Sequence, residues 1–269
     1  MTTTTRVIDL PWTRPRVAVL EISGAIGAQV KGQQMVRTIR ALTNDSRVKA
    51  VVVEIDSPGG SASASDAIFR QMRKLSKKKP TVAFVAGAGL SGGYLIACGT
   101  RHIIAMPTSL VGSIGVIFTR PVVEELLAKL GIRMEMTHEG RLKGMFQPWR
   151  EPTPEEQQKV QALTDELYEW FVSSVATARN LDVEKVREYA TGEMYSGAKG
   201  KEIGLVDELG DFDDALKKAR EMAGLAEKPR LQYVRPRVQL LDRVMGRGAS
   251  AGDIAAEIEA RMVPRIEFR

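Results

Sequence analysis

At 269 residues, with 43% apolar and 27% charged residues, the chain has the make-up of one large folded domain or two small ones, which excludes a disordered or fibrous protein. The net charge of +6 is scattered without interleaved aromatic residues. It argues against nucleic-acid binding and leaves attraction to an anionic membrane face as its one functional reading. The single cysteine, Cys98, lies in an apolar run, excludes an intrachain disulfide framework and fits a core position in a reducing, cytoplasmic setting.

In chain order, residues 1–14 lack the apolar stretch of a signal peptide or anchor and are expected to form a flexible leading segment. Val17–Ile22 is a near-continuous apolar run closed by Ser23-Gly24, as expected of a strand buried on both faces. Gln33–Leu42 has helical spacing, and Ala50–Ile55 is a second buried strand ended by Asp56-Ser57-Pro58-Gly59-Gly60. Ser65–Leu75 reads as a helix, Thr81–Ala86 as a third strand and Leu90–Cys98 as a short helix. The run from Thr81 to Thr100 carries no charge and is long enough to span a bilayer. Its five glycines and central Ser91 fit a strand, a tight turn and a buried helix better.

Ile103–Ala105, Gly115–Phe118 and Arg133–Thr137 are expected to be short strands, and Val122–Leu130 an amphipathic helix. A loop over Gly140–Glu151 leads to Thr153-Pro154-Glu155-Glu156, a capping box with proline in the first turn. The long helix it opens carries an apolar stripe of Val160, Leu163, Leu167, Phe171 and Val175. Helices over Val183–Ala190 and Asp213–Ala223 follow, and then the pattern weakens, with a terminal helix expected over Asp253–Met262. Alternation of strand and helix predicts a largely parallel sheet with helical crossovers. The domain reading is a flexible 1–14, a body over 15–225 and a tail over 226–269 that docks on a partner subunit or folds back.

Two glycine-rich turns, each after an apolar strand, carry the chemistry. In Asp56–Gly60, consecutive glycines free backbone N–H groups to face a cleft, as an oxyanion hole requires, although a plain structural turn would also use them. In Gly89-Leu90-Ser91-Gly92-Gly93-Tyr94, a serine on a strand-to-helix turn has an exposed hydroxyl, with the Gly92 N–H beside it. His102 leads into a strand and reads as structural. A triad through His138 lacks a convincing carboxylate, because only Glu124, Glu125 and Glu135 lie between it and Ser91. A lysine is the remaining base. Its ordinary pKa of about 10.4 must be brought down to roughly 7–8 by burial against apolar groups. Lys143, with Leu142, Met145 and Phe146 as neighbours, is the best candidate.

These motifs, with Val111–Val116, Gly140–Lys143, Tyr195-Ser196-Gly197 and Gly204–Gly210, occur in the order found in signal peptide peptidases of the protease IV family, which the chain resembles over about residues 15–225. The resemblance implies an α/β fold of the Clp-protease/crotonase type: a spiral of ββα units with a largely parallel sheet and appended helices. It implies a Ser/Lys serine endopeptidase acting on signal peptides or other small apolar peptides, with Ser91 as nucleophile and Lys143 as general base. Gly60 and Gly92 become the oxyanion donors, with Gly59 a close alternative to Gly60, and Ser113 orients the lysine. No metal or organic cofactor is implied. Partners are a peptide substrate and further copies of the chain in a ring, with serine and lysine meeting across a protomer boundary. Family members often carry an N-terminal membrane anchor, which the start of this chain lacks, so peptidase chemistry follows from the resemblance more directly than a role on membrane-embedded signal peptides, and the expected setting is cytoplasmic or peripheral at the inner membrane face. Two rival readings remain, a crotonase-like acyl-CoA enzyme and a non-catalytic scaffold or regulator of a membrane protein.

Overall fold

The computed structural model describes residues 15–225 and 229–234, and the backbone of 265–268. Its centre is built from β1 (Arg16–Ser23), β2 (Val48–Ser57) and β4 (Thr81–Leu90), all parallel, with β5 (His102–Ala105) and β9 (Glu208–Leu209) continuing the sheet on one side and β10 (Arg230–Val234) closing it on the other. β6 (Leu110–Gly112) pairs with the far end of β4, and β8 (Met194–Ser196) runs antiparallel to β6. This is the mostly parallel α/β architecture that the motif resemblance implies.

The near-continuous apolar strands follow from burial on both faces. Ala18, Leu20 and Ile22 of β1, Val51, Val53 and Ile55 of β2, and Ala83 and Val85 of β4 face one core. That side is covered by α1 (Gly32–Asn44), α2 (Ala62–Lys78), α3 (Gly92–Ala97) and the last turns of α5 (Pro154–Arg179). The alternate residues Val17, Ala50, Val52, Val82 and Phe84 face α8 (Phe212–Met222) through Ala215 and Ala219. Each fully buried Val, Leu or Ile contributes roughly 1.5–3 kcal/mol, so the strand register is fixed by both faces at once.

The capping box forms as its residues require: the Thr153 hydroxyl accepts from the Glu156 amide, and Glu156 accepts from the Thr153 amide. The helix it starts is 26 residues long, about 39 Å at 1.5 Å per residue. Its buried apolar residues, Phe171, Val172, Val175 and Ala176, all lie in its C-terminal part; Glu156 is buried in the first turn, and Leu163 is exposed. The stripe read from the sequence therefore meets the core only over its last turns.

Several expectations are corrected. Residues 133–137 form no strand, since they find no sheet edge to pair with among the described residues. The amphipathic helix shortens to α4 (Glu124–Lys129), none of whose residues is buried. The uncharged run 81–100 is β4, a turn and α3, and no helix among the described residues is long and apolar enough to cross a membrane. The expected helix over 253–262 lies outside the described residues. Residues 265–268 form β11 (Arg265–Phe268), the centre of a small antiparallel sheet between β3 (Gly60–Ser61) and β7 (Ile117–Thr119).

Candidate active site

Ser91 stands where β4 turns into α3, with φ 50° and ψ −118°. A positive φ is costly for a residue with a side chain and persists only where the surroundings hold it. Here they do: the Ser91 amide donates to the Gly112 carbonyl at 2.8 Å, and its carbonyl accepts from the Leu95 amide at 2.9 Å. Its Oγ, expected from the sequence to be exposed, is instead buried and has no hydrogen-bond partner among the described residues. A buried, unpaired hydroxyl costs about 1–3 kcal/mol, an expense a purely structural serine would avoid.

Beneath the turn, space is taken up completely. A Cβ on Gly92 would lie 2.2 Å from the Ser65 Oγ, and Ser65 is buried and donates to the Ser61 carbonyl at 2.9 Å. Beside it runs the second glycine-rich turn. Gly60 has φ +142°, and a Cβ there would meet the Ile26 carbonyl oxygen at 2.2 Å, so this position accepts only glycine. Ile26 brackets the loop, donating to the Gly59 carbonyl at 2.8 Å and accepting from the Ser61 amide at 2.8 Å. Ser57 ties the parts together: its buried Oγ donates to the Gly24 carbonyl at 2.7 Å and accepts from the Gly59 amide at 3.2 Å. Asp56 accepts from the Ala88 amide at 2.9 Å, joining the loop to β4. Ser57, Ser65 and Asp56 escaped the sequence analysis. Their one visible signal was position within or just after the first glycine-rich turn.

Ser113 is brought to the same edge. It follows Gly112, has φ 49°, is largely buried, and donates from its amide to the Glu193 carbonyl at 2.7 Å. Lys143 is not brought to Ser91. It lies in the turn 140–143, where its amide donates to the Gly140 carbonyl at 2.9 Å, and it is exposed. Leu142, Met145 and Phe146 are only partly buried around it, so one copy of the chain does not supply the desolvation expected from those neighbours. Its loop is nonetheless fixed. Arg150 donates to the Gly144 carbonyl at 2.9 Å and pairs with Glu156, and that guanidinium hydrogen bond holds the Glu156 carboxyl down at about 2.

Neither histidine approaches Ser91. Among the described residues, the exposed His138 hydrogen-bonds the Gly140 carbonyl, while His102 lies between Glu208 and Asp207. Burial opposes the charged form of Asp207, but the Arg179 guanidinium outweighs it and the net effect is a lowered pKa. The Asp207 carboxylate also accepts from the Ile103 amide, and the Tyr94 hydroxyl donates to the Leu205 carbonyl at 2.8 Å. The Gly204–Gly210 motif thus acts as a brace for the helix that carries Ser91. Burial pushes the Cys98 thiol up to about 11, which leaves it protonated and inert in the core.

A three-stranded sheet adjoins the Gly59-Gly60 turn. Phe268 pairs with Gly60, Glu267 with Ser61 and Ile117, Ile266 with Phe118 and Arg265 with Thr119. An extended segment thus fits between β3 and β7 with one end at the Gly59-Gly60 turn.

Residues 73–226 match the model of peptidase family S49, and residues 16–112 match that of Clp protease. A Synechocystis protein provisionally named a protease is 38% identical over 235 residues, covering 87% of this chain and 84% of its own length. Protease 4 of Salmonella typhi is 35% identical over 236 residues, 85% of this chain but 38% of that protein. An Enterococcus faecium protein provisionally named signal peptide peptidase SppA is 34% identical over 206 residues, 76% of this chain and 60% of its own. The chain spans well under half of the Salmonella protein it matches.

Proposed function

Because the chain belongs to peptidase family S49, with protease 4 and SppA among its relatives, and is a serine peptidase, we propose that Ser91 is its nucleophile and Lys143 its general base. The observation that carries this reading is the unpaired, buried Oγ on a strained turn beside a groove that takes an extended strand. The peptidase body is residues 15–225. A peptide seated as β11 is seated brings a backbone carbonyl to the Gly59-Gly60 turn. The Ser91 Oγ attacks that carbon as its proton passes to the Lys143 Nζ, and the oxyanion accepts from the Gly60 and Gly92 amides; Gly59, the alternative read from the sequence, is set aside because its amide is donated to the Ser57 Oγ. The amine leaves with the proton from Lys143, and water then hydrolyses the acyl-Ser91 ester by the same base. Ser113 orients the lysine.

The exposed arm that bears Lys143 supports a dyad completed between copies. Val122, Leu126, Leu130, Ile132, Met134 and Met136 are all exposed along residues 122–136, an apolar surface that one copy leaves uncovered. A second copy packed there would bury Lys143 and bring it to a neighbouring Ser91, closing a ring. Substrates are apolar peptides, signal peptides among them, and the net charge of +6 supports peripheral attachment at the inner face of an anionic membrane.

Mixing separately inactive Ser91→Ala and Lys143→Ala proteins tests both points with a fluorogenic apolar peptide. Restored activity in the mixture supports a dyad shared between copies. Two inactive, folded variants that stay inactive when mixed support a dyad within one copy. Retention of activity by either single variant overturns the assignment.

A further inference from the structure

The entering ends of the parallel strands form one rim of the sheet, and Ser91 follows the leaving end of β4 at the other. Val51 of β2 pairs with Thr81 of β4, which brings Lys49 and Lys79, each two residues earlier, to the same stretch of the entering rim. Arg101 comes next, its amide donating to the Thr81 carbonyl at 3.1 Å as β5 begins. On the other side, Arg16 of β1 pairs with Arg230 of β10. Because α2 connects the leaving end of β2 to the entering end of β4, its last turn delivers Lys77 and Lys78 there as well. Neighbouring parallel strands thus enter the sheet through cations.

Three carboxylates at this rim are already matched: Asp45 by Arg47, Asp207 by Arg179 and Glu208 by Lys218. Two of the cations are committed too. Lys79 donates to the carbonyls of Leu42 and Asp45, and Arg101 to that of Ser76. Lys49, Lys77 and Lys78 are exposed and have no carboxylate partner among the described residues. Lys77 and Lys78 complement the C-terminal end of α2, but that leaves Lys49 unexplained. Burial lowers the Lys79 pKa, and although Asp45 opposes this, the charges of Lys49 and Lys78 add to it. Like charges gathered this closely repel one another, and an anionic surface relieves the repulsion. The leaving end has the opposite sign. Glu21 and Glu54 are paired in register there, and Glu54 is raised by burial and by the charges of Glu21 and Asp56.

We propose that the entering rim, centred on Lys49, Lys77 and Lys78, is the surface by which the protein docks on anionic phospholipid headgroups. The proposal rests on the reading of peripheral attachment and gives it a place and an orientation. The cations face the lipid, and the acidic end, with Ser91 beside it, faces away. Residues 47–50 and 74–79 contain no aromatic side chain on which a base could stack, so the charge suits a headgroup layer better than single-stranded nucleic acid.

The test is co-sedimentation of the full chain with vesicles of phosphatidylglycerol and phosphatidylcholine, against phosphatidylcholine alone. Wild type is expected to bind the anionic vesicles only, and less as salt is raised. Lys49→Gln/Lys77→Gln/Lys78→Gln should weaken binding by about a hundredfold while cleavage of a soluble peptide stays unchanged. A control of equal charge change, Lys31→Gln/Lys129→Gln/Lys159→Gln, removes exposed lysines outside this rim and should bind nearly as wild type does. Equal loss in both triple variants, or none in the first, overturns the rim and leaves peripheral attachment standing. A wild type that binds neither kind of vesicle overturns attachment and rim together, without touching the peptidase reading. Tighter binding of a labelled oligonucleotide than of the anionic vesicles would overturn lipid as the occupant.

Discussion

The amide of Ser91 donates to the carbonyl of Gly112 at 2.8 Å, so the turn that bears Ser91 is clamped to the end of β6, which Ser113 follows with φ 49°. The Ser91 hydroxyl itself contributes nothing to this clamp and is buried without a partner. Ser91→Ala should therefore raise stability, by up to about 1 kcal/mol, while activity falls by at least roughly a thousandfold. Ser91→Gly should be more stable still, since glycine accepts φ 50° without strain. Thermal unfolding alongside a peptide assay checks this. A destabilised Ser91→Ala protein would mean that the hydroxyl has a structural role.

Ser57 holds the oxyanion loop from below, donating to Gly24 and accepting from Gly59. Ser57→Ala leaves the buried Gly59 amide and the part-buried Gly24 carbonyl short of a partner, at a cost of about 1–3 kcal/mol. The loop loosens at the point where the developing negative charge must be met, so kcat should fall by roughly ten- to a hundredfold. KM should change far less, because the strand pairing that seats the peptide is untouched. A variant whose loss lies wholly in KM would show that Ser57 shapes binding, and the loop would not be its point of action.

What the sequence made legible was local or periodic. Thr153, Pro154 and Glu156 announce a helix start because all their partners lie within one turn. The strands β1, β2 and β4 announce themselves by runs buried on two faces. Ser91 was readable because glycine-rich strand-to-helix turns are uncommon. Illegible were features made by distant chain segments. β6 is three residues long, and its identity depends on pairing with Leu90 and Tyr195. The support from Ser65 and Ser57 depends on how α2 and the loop near Gly24 pack. Residues 133–137 have strand-like composition, but composition cannot supply an edge to pair with. The position of Lys143 relative to Ser91 is likewise a question of how arms meet, which no periodicity encodes.

The segment 265–268 lies between β3 and β7, in the groove proposed above for the substrate. A chain ending at Pro264 should bind peptides better, because an intramolecular competitor present at high effective concentration is gone. The expected change is a fall in KM of about three- to tenfold with little change in kcat. The corresponding free peptide, added to the shortened protein, should compete with substrate. An unchanged KM would argue that the groove empties readily or that substrate takes another path.

The Arg150–Glu156 pair fixes the loop carrying Lys143 to the start of α5, and it gives the site an acid limit. The Arg150 hydrogen bond lowers the Glu156 pKa from the ordinary 4.5 to about 2 in the folded protein. A lowered folded pKa means that stabilisation is complete above the unfolded value and is lost as pH falls from about 4.5 toward 2. Glu156→Gln keeps an acceptor for the Thr153 amide but loses the charge. It should cost roughly 2 kcal/mol at pH 7, a charge-assisted hydrogen bond exchanged for a neutral one. That difference from wild type should shrink as the pH is taken below 4.5, because the unfolded wild-type chain takes up a proton there that the folded protein, with Glu156 at about 2, does not. Thermal unfolding of both proteins between pH 7 and pH 3 measures it. A difference that stays constant across this range would place the stabilisation in packing, and the acid limit of the site would then have to lie elsewhere.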